Sequence, residues 1–316
     1  MTSPITFANF IFKLQLLEDS LLPEYKGSMF RGAFGHAFKK AVCVTGQRDC
    51  SKCMLNSQCS YYSVFETELP KSDLPFLKGV KKLPHPMVIN PPLETTRYYK
   101  KDDIINVGLT VFGSAIKFFP YFVFAFLKMG ENGLAVKKSK FKIVGIINNR
   151  ASEKKEIYNC TEKALNTDYL ITNYEDVISP DAAGNDEIEL DFLTPFRFQE
   201  NGKLLANPEY LTAQHIIKSL SKRISIISTL FCGSNDFTTY FTDEKEIKIS
   251  RNKLYFYQWE RYSSRQDAKI QLSGFKGKVA LKGNLEKIYP LLQVGQHLNI
   301  GKNTFFGLGR YKIITV

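Results

Sequence analysis

Twice along this chain the spacing of apolar residues changes from period two to period 3.6 and back, in the same order. In "FANFIFKLQL", Phe10, Phe12, Leu14 and Leu16 alternate with Ile11, Lys13 and Gln15, the pattern of a half-buried strand. After the turn chemistry of "LLPEYKGS", residues 28 to 42 change period. Phe30, Ala33, Phe34, Ala37, Phe38 and Ala41 fall on one helical stripe. Strands are expected around 87–92, 104–112 and 139–148, with a helix from Pro120 between the last two. This order, β-α-β-β-α-β, is the split βαβ or ferredoxin-like arrangement.

Beyond the Pro-, Gly- and Asp-rich stretch "YEDVISPDAAGNDEIEL", which reads as a boundary, the order returns. A strand is expected near 188–198, then a long helix with Ile216, Ile217, Leu220, Ile224, Ile227 and Phe231 inward. Two strands follow in "LYFYQWERYS" and "AKIQLSGFKGKVAL", then a short helix over about 284–294 and a last strand in "FGLGRYKIITV". The architecture repeats while the residues do not. The expected fold is α+β, two tandem ferredoxin-like (RRM-like) domains with a cysteine-rich insertion after the first helix. Their boundaries read 1–150, an acidic linker region 151–187, and 188–316. A chain of 316 residues is long enough for two such cores.

A hydrophobic content of 44% with 23% charged residues excludes a disordered or fibrous chain. The most apolar window, "LTVFGSAIKFFPYFVFAFLKMG", is interrupted by Gly113, Lys117 and Pro120, and reads as a buried strand running into a helix rather than a membrane span. No basic region, apolar run and small-residue cleavage site opens the chain, so a cytoplasmic protein is expected. The net charge of +12 is unevenly distributed. Residues 1–150 carry 21 basic and 11 acidic side chains, residues 151–200 carry 4 and 12, and residues 251–316 carry 12 and 3. Two basic blocks flanking an acidic one point to a polyanionic partner, nucleic acid first.

Four of the six cysteines form the run Cys43-x6-Cys50-x2-Cys53-x5-Cys59. In a cytosolic chain that density suggests metal rather than disulfides. Four thiolates suit a structural zinc, and an iron–sulfur cluster would use the same sulfurs. Four reduced thiols in a loop is the plain alternative. No histidine or carboxylate joins the run to leave an open position, so a catalytic metal is not expected there.

"NIGKNTFFGLGR" has the composition of a backbone cradle for phosphate. Gly301, Gly307 and Gly309 free the chain, while Lys302 and Arg310 add charge. It lacks the Ser or Thr after Gly-Lys that a Walker loop requires. A glycine-rich turn needed for packing is the competing reading. Upstream, "QWERYSSRQ" sets Arg261 and Arg265 around Tyr262 at a hairpin turn, a mixture of cations and rings that suits unpaired RNA. On the long second-half helix, Lys218 and Lys222 share the polar face with His215.

The polar side of the first helix collects Arg31, Gly32, Gly35, His36, Lys39 and Lys40, and no carboxylate occurs between Glu24 and Asp49. His36 and Lys40 are one turn apart, as are Gly32 and His36. Each glycine costs ~1 kcal/mol against alanine inside a helix, so the pair calls for a reason such as close approach of another molecule.

"LLPEYKGSMFRGAFGHAFKKAVC", "CSKCMLNSQCSYYSVFE", "HPMVINPP", "FLTPFRF", "WERYSSRQ" and "IGKNTFFGLGRYKI", in this order, resemble the CRISPR-associated endoribonucleases of the RAMP superfamily, which process precursor CRISPR RNA. The resemblance covers nearly the whole chain. It implies that repeat RNA is gripped by two ferredoxin-like folds. It also implies cleavage without a catalytic cofactor, through attack of a ribose 2′-hydroxyl, giving a 2′,3′-cyclic phosphate and a 5′-hydroxyl. Carried onto this chain, the catalytic histidine falls on His36, with Lys40 or Lys39 in support and Tyr25 as a further positioning residue. Arg31, Lys222, Arg261, Arg265, Lys302 and Arg310, with Gly301, Gly307 and Gly309, become the RNA contacts. The same superfamily contains subunits that hold CRISPR RNA in effector complexes without cutting, which is the alternative function. Many members carry a histidine directly before the Ile/Val-Gly-Lys; this chain has Asn299 there, so a second proton carrier would have to be His297.

Overall fold

In the computed structural model, residues 5–66, 74–77, 80, 82–179, 186–234, 246–263 and 268–314 are described, those at 75, 261–263 and 268–269 by their backbone alone. The chain divides into two units, Ile5–Asn173 and Tyr174–Val316 together with Met1–Pro4.

The first unit begins with strand β1 (Thr6–Leu16), in which Phe10, Phe12, Leu14 and Leu16 are buried and Ile11, Lys13 and Gln15 half-buried, as the alternation requires. Helix α1 (Gly27–Val42) follows, then two 3-10 turns and the short helix α2 (Ser60–Phe65). Strands β2 (Met87–Asn90) and β3 (Ile104–Phe112) lead through a 3-10 turn into α3 (Phe119–Asn132), with Pro120 in its first turn. Strands β4 (Phe141–Arg150) and β5 (Glu153–Asn159) complete it. The antiparallel order is β2-β3-β1-β4-β5. Without β5 this is the ferredoxin-like order expected from the sequence.

The linker boundary needs correction. Residues 153–159 pair with β4, and Thr172–Asn173 pair with the start of β1, so 151–173 belong to this unit rather than to a linker. The charged run Glu153, Lys154, Lys155 and Glu156 fits the largely exposed start of an edge strand. The core is aromatic. Phe119 stacks on Phe10 at 3.6 Å and Phe126 on Phe12 at 4.1 Å, while Phe34 and Phe38 of α1 meet Phe122 edge-on at 5.7 and 5.2 Å.

The second unit repeats the topology with strands β6 (Glu187–Phe196), β7 (Lys248–Tyr257), β10 (Gly274–Lys282) and β11 (Tyr311–Ile314) in the order β7-β10-β6-β11. Its helices are α4 (Ala213–Phe231) and α5 (Tyr289–Leu298). Each of the two strands expected around residue 265 is broken, because the separate hairpin β8 (Glu260–Ser263) and β9 (Ala268–Gln271) leaves the main ladder. At the break, the Ser273 hydroxyl takes the Trp259 amide at 3.1 Å.

The acidic and basic blocks do not stay apart. Glu189 and Asp191 of β6 meet Lys278 and Lys312 of the adjacent β10 and β11 at 3.0 and 3.8 Å, and Glu187 meets Arg251 of β7, one strand further across, at 3.5 Å. Part of the C-terminal basic surplus is thereby neutralised inside one sheet, and a uniformly cationic face is not formed there. Among the described residues, no helix is long and apolar enough to cross a membrane.

Candidate functional site

Helix α1 has no side-chain cap at its start. Lys26 anchors it instead: its ammonium, wholly buried, donates to the carbonyls of Thr96, Glu94 and Glu24 at 2.8, 3.1 and 3.3 Å, above the Tyr99 ring. Burial lowers the Lys26 pKa below the usual lysine value. Tyr25, beside it, is half-buried. At the other end, Lys39 and Lys40 stand in the last turn, where cations complement the helix dipole.

The polar face of α1 is narrower than its sequence suggests. Helix α2 covers one flank: the Arg31 guanidinium lies over the Phe65 ring at 5.3 Å and the Lys39 ammonium over Tyr61 at 5.4 Å. Gly35 is buried, and a methyl group there would meet the Phe65 ring at 3.0 Å. The reading of Gly35 as an approach for a ligand is therefore corrected: it admits Phe65. What remains exposed is a single ridge of Gly32, His36 and Lys40, successive at i, i+4 and i+8. A methyl at Gly32 would have nothing within 4 Å. Among the described residues, neither the His36 ring nor the Lys40 ammonium has a hydrogen-bond, ion-pair or ring partner. An unpaired imidazole beside an ammonium can move a proton and stabilise an oxyanion at one point.

The cysteine loop does not present the four-sulfur site that its spacing suggests. Among the described residues, no group of three or more histidine, cysteine or carboxylate side chains is placed to hold a metal ion. The Thr45 hydroxyl stands 3.9 Å from the Cys43 sulfur and 3.5 Å from that of Cys53, while Cys50 and Cys59 close two separate 3-10 turns with Cys53 and Asn56. The residues do not fit a zinc or iron–sulfur cluster as they lie. Burial raises the Cys43 thiol pKa, but hydrogen bonds from Gly46 and Thr45 and the nearby Lys39 charge outweigh it and lower the value.

The glycine segment also differs from its expected use. The amides of Lys302, Gly309 and Arg310 donate to Arg197 O, Pro195 O and the Thr194 hydroxyl at 2.9 Å each, and the Gly307 amide donates to Thr304 O. These groups are engaged within the unit rather than presented as a cradle. Gly301 and Gly309, at φ of 88° and 72°, are required by packing, since a Cβ would strike the carbonyl oxygens of Arg197 and Ile300. The charge is what faces outward. Lys302 is exposed, and burial followed by the positive charges of Lys302 and Lys218 lowers the Lys222 pKa, which marks the three lysines as neighbours. Arg310 is half-buried near His297. Arg261 lies in β8, and Arg265 falls outside the described residues.

A family model for the AF_1859_N N-terminal domain matches residues 5–170, and the model for the CRISPR-associated endoribonuclease Cas6 matches residues 190–311. The chain belongs to the family described by the AF_1859_N N-terminal-domain model, and its residues 190–311 are similar to the CRISPR-associated endoribonuclease Cas6. An uncharacterized protein of Archaeoglobus fulgidus is 24% identical over 298 residues, 92% of either chain. Among solved structures, Thermus thermophilus Cas6 is similar with a TM-score of 0.53 at 13% identity, covering 98% of this chain and 99% of that one. A Cas6 product complex is similar at 0.52 and 15%, again over 98% and 99%. A partial Cas6-RT-Cas1–Cas2 complex gives 0.59 at 11%, over 98% of this chain and 46% of that chain. At these identities the structural likeness speaks for the fold.

Asn299 is wholly buried at φ 54°, its amide donating to Leu308 O at 3.1 Å, so it holds the loop. His297 is no neutral-pH proton carrier: burial, with the Arg310 charge, pulls its pKa down to about 4. His215 caps α4 through Thr212 and stacks on Phe198 at 4.5 Å, while His85 meets Val64 O at 3.0 Å. Sequence reasoning missed Lys26 and Arg223. Arg223 sits on the apolar side of α4 and donates through Nε and Nη2 to Leu298 O at 3.2 and 3.1 Å, fixing the point where the glycine segment starts. Burial lowers its pKa to about 9. A cation on an otherwise apolar helical stripe was the available signal.

Proposed function

We propose that the chain binds CRISPR repeat RNA and cleaves the precursor at the α1 ridge by attack of a ribose 2′-hydroxyl on the adjacent phosphorus. The observation that carries this reading is the exposed Gly32–His36–Lys40 ridge, with the imidazole and ammonium both unengaged among the described residues. As O2′ bonds to phosphorus, the P–O5′ bond breaks; the O2′ proton leaves to a base, and O5′ receives a proton. His36 exchanges one of these protons. Lys40 faces the charge that builds on the phosphoryl oxygens, with Lys39 behind it over Tyr61. Gly32 leaves room for the RNA backbone on the turn before His36. Tyr25, just before the helix, positions the ribose or phosphate, and Arg31, lying over Phe65, contacts the RNA. Lys222, Lys302 and Arg310 of the second unit contribute further RNA contacts. The products are a 2′,3′-cyclic phosphate and a 5′-hydroxyl.

The test is an end-labelled repeat RNA incubated in excess chelator, with and without a 2′-deoxy sugar before the cut. Cleavage that persists in chelator, yields cyclic-phosphate ends and stops at the deoxy sugar is the expected result. Cleavage that requires a divalent metal, or that survives the deoxy substitution, overturns the mechanism. The second reading, a RAMP subunit that only holds CRISPR RNA, draws on the Lys218–Lys222–Lys302 cluster, which needs no histidine to bind phosphate. Tight repeat binding by the intact chain without any cleavage would select it.

A further inference from the structure

The first unit carries a second cationic surface, on the side of α3 turned away from α1. In "AVKKSKFK", Lys137, Lys138, Lys140 and Lys142 are all exposed, on the turn between Leu134 and Ser139 and the start of β4. Lys163, just past β5, joins them. Among the described residues none of these five ammonium groups has an ion pair. Lys140, Lys142 and Lys163 border a groove of about 580 Å³ whose floor is Leu17, Leu127, Phe141 and Ile143. Its lining carboxylate, Glu131, is paired with Lys128 at 2.7 Å, and Glu18 beside the rim accepts the backbone amide of Lys140 at 3.0 Å rather than an ammonium. Leading to the groove along α3, Tyr121 and Phe124 are 50% and 44% exposed. Lys128 lies over the Phe124 ring at 5.4 Å. Because α1 packs beside α3 on the β2 side while the groove lies against β4 and β5, helix α3 separates it from the His36 ridge.

Like charges crowded on a folded surface repel, and an anionic ligand relieves that repulsion. Exposed rings interleaved with unpaired lysines match the needs of an unpaired nucleic-acid strand, whose bases stack on rings while its phosphates meet cations. We propose that this groove holds an unpaired segment of the RNA flanking the site of cleavage, a proposal that rests on the RNA-processing reading above. The rim lysines take successive phosphates, and the Tyr121–Phe124 face with the apolar floor takes the bases.

The experiment compares a minimal repeat RNA with the same repeat carrying about 10 unpaired flanking nucleotides, within the span of single-strand sites. Affinity is read by fluorescence anisotropy across a salt series, for the intact chain, the Lys140→Gln/Lys142→Gln/Lys163→Gln variant and the Tyr121→Ser/Phe124→Ser variant. The flank is expected to tighten binding of the intact chain roughly 10-fold or more, and both variants to lose that gain while cutting the minimal repeat at the intact rate. Removing three phosphate contacts lowers the slope of log K on log salt by about 2, at about 0.7 per contact. If the lysine variant binds the flanked RNA as the intact chain does, with the same slope, the proposal fails. It also fails if that variant keeps its RNA affinity but loses affinity for polyglutamate, which would assign the groove to an acidic protein partner. An intact chain that cuts the minimal repeat yet gains nothing from the flank overturns this proposal alone. One that binds neither RNA overturns the cleavage reading with it.

Discussion

Replacing Gly32 and Gly35 singly by alanine separates two uses of glycine on one helix. At Gly32 a new methyl meets nothing within 4 Å, so the substitution collects the full helix-propensity gain of ~1 kcal/mol. That raises the melting temperature of a unit of this size by about 2–4 °C. At Gly35 the same gain is opposed by a contact of 3.0 Å with Cε1 of Phe65 and 3.4 Å with Cζ. The ring cannot simply withdraw. Tyr61 stacks on it at 4.9 Å, Arg31 lies over it at 5.3 Å, and His85 approaches within 5.3 Å. Overpacking of this kind costs ~1–3 kcal/mol, so Gly35→Ala is expected to lose up to about 2 kcal/mol net. The catalytic effects should run the other way. A methyl at position 32 stands one turn from His36 on the exposed ridge, and misplacing the RNA backbone by about 1 Å there slows cleavage as much as 100-fold. Thermal melts and single-turnover cleavage of a labelled repeat, run on both variants, decide the matter. If Gly32→Ala melts higher and still cleaves at the intact rate, RNA does not lie against this ridge. If Gly35→Ala gains as much stability as Gly32→Ala, the account of Phe65 is wrong.

His36→Ala should slow cleavage by about 10² to 10⁴ while changing stability by no more than about 0.5 kcal/mol, because among the described residues the exposed ring has no hydrogen-bond, ion-pair or ring partner; a larger fall in stability would refute its placement. Since the folded-state pKa of His297 is depressed to about 4, the unfolded chain binds the extra proton first on acidification. Stability of the second unit should therefore fall as pH drops from ~6.5 towards 4, by about 3 kcal/mol, and His297→Gln should flatten that limb in denaturant titrations. Chelator should leave the melting of the first unit unchanged and metal analysis should find no zinc, since the four sulfurs do not converge; one equivalent of zinc lost together with stability would overturn that reading.

The alternation of Phe10, Phe12, Leu14 and Leu16 and the stripe of Phe30, Phe34, Ala37 and Phe38 made β1 and α1 legible, and the same two periods made the second unit legible after them. Such periods are imposed by backbone geometry over a few residues, so a linear reading recovers them. His36 and Lys40 were legible for the same reason, being one turn apart on a face without carboxylates. Gly32 and Gly35 look alike in sequence. Only the return of α2, some thirty residues later, gives one of them a ring to accommodate and leaves the other open.

Long-range partners decided the rest. The basic and acidic blocks became cross-strand ion pairs once β6 lay between β10 and β11. The amides of the glycine segment found acceptors in Thr194, Pro195 and Arg197, and Arg223 found the end of α5. The sequence by itself determined the order of strands and helices and the residues sharing each face. Tertiary structure alone decided which of those residues stay exposed and unpaired, because burial and hydrogen bonding depend on neighbours that the chain brings together from far apart.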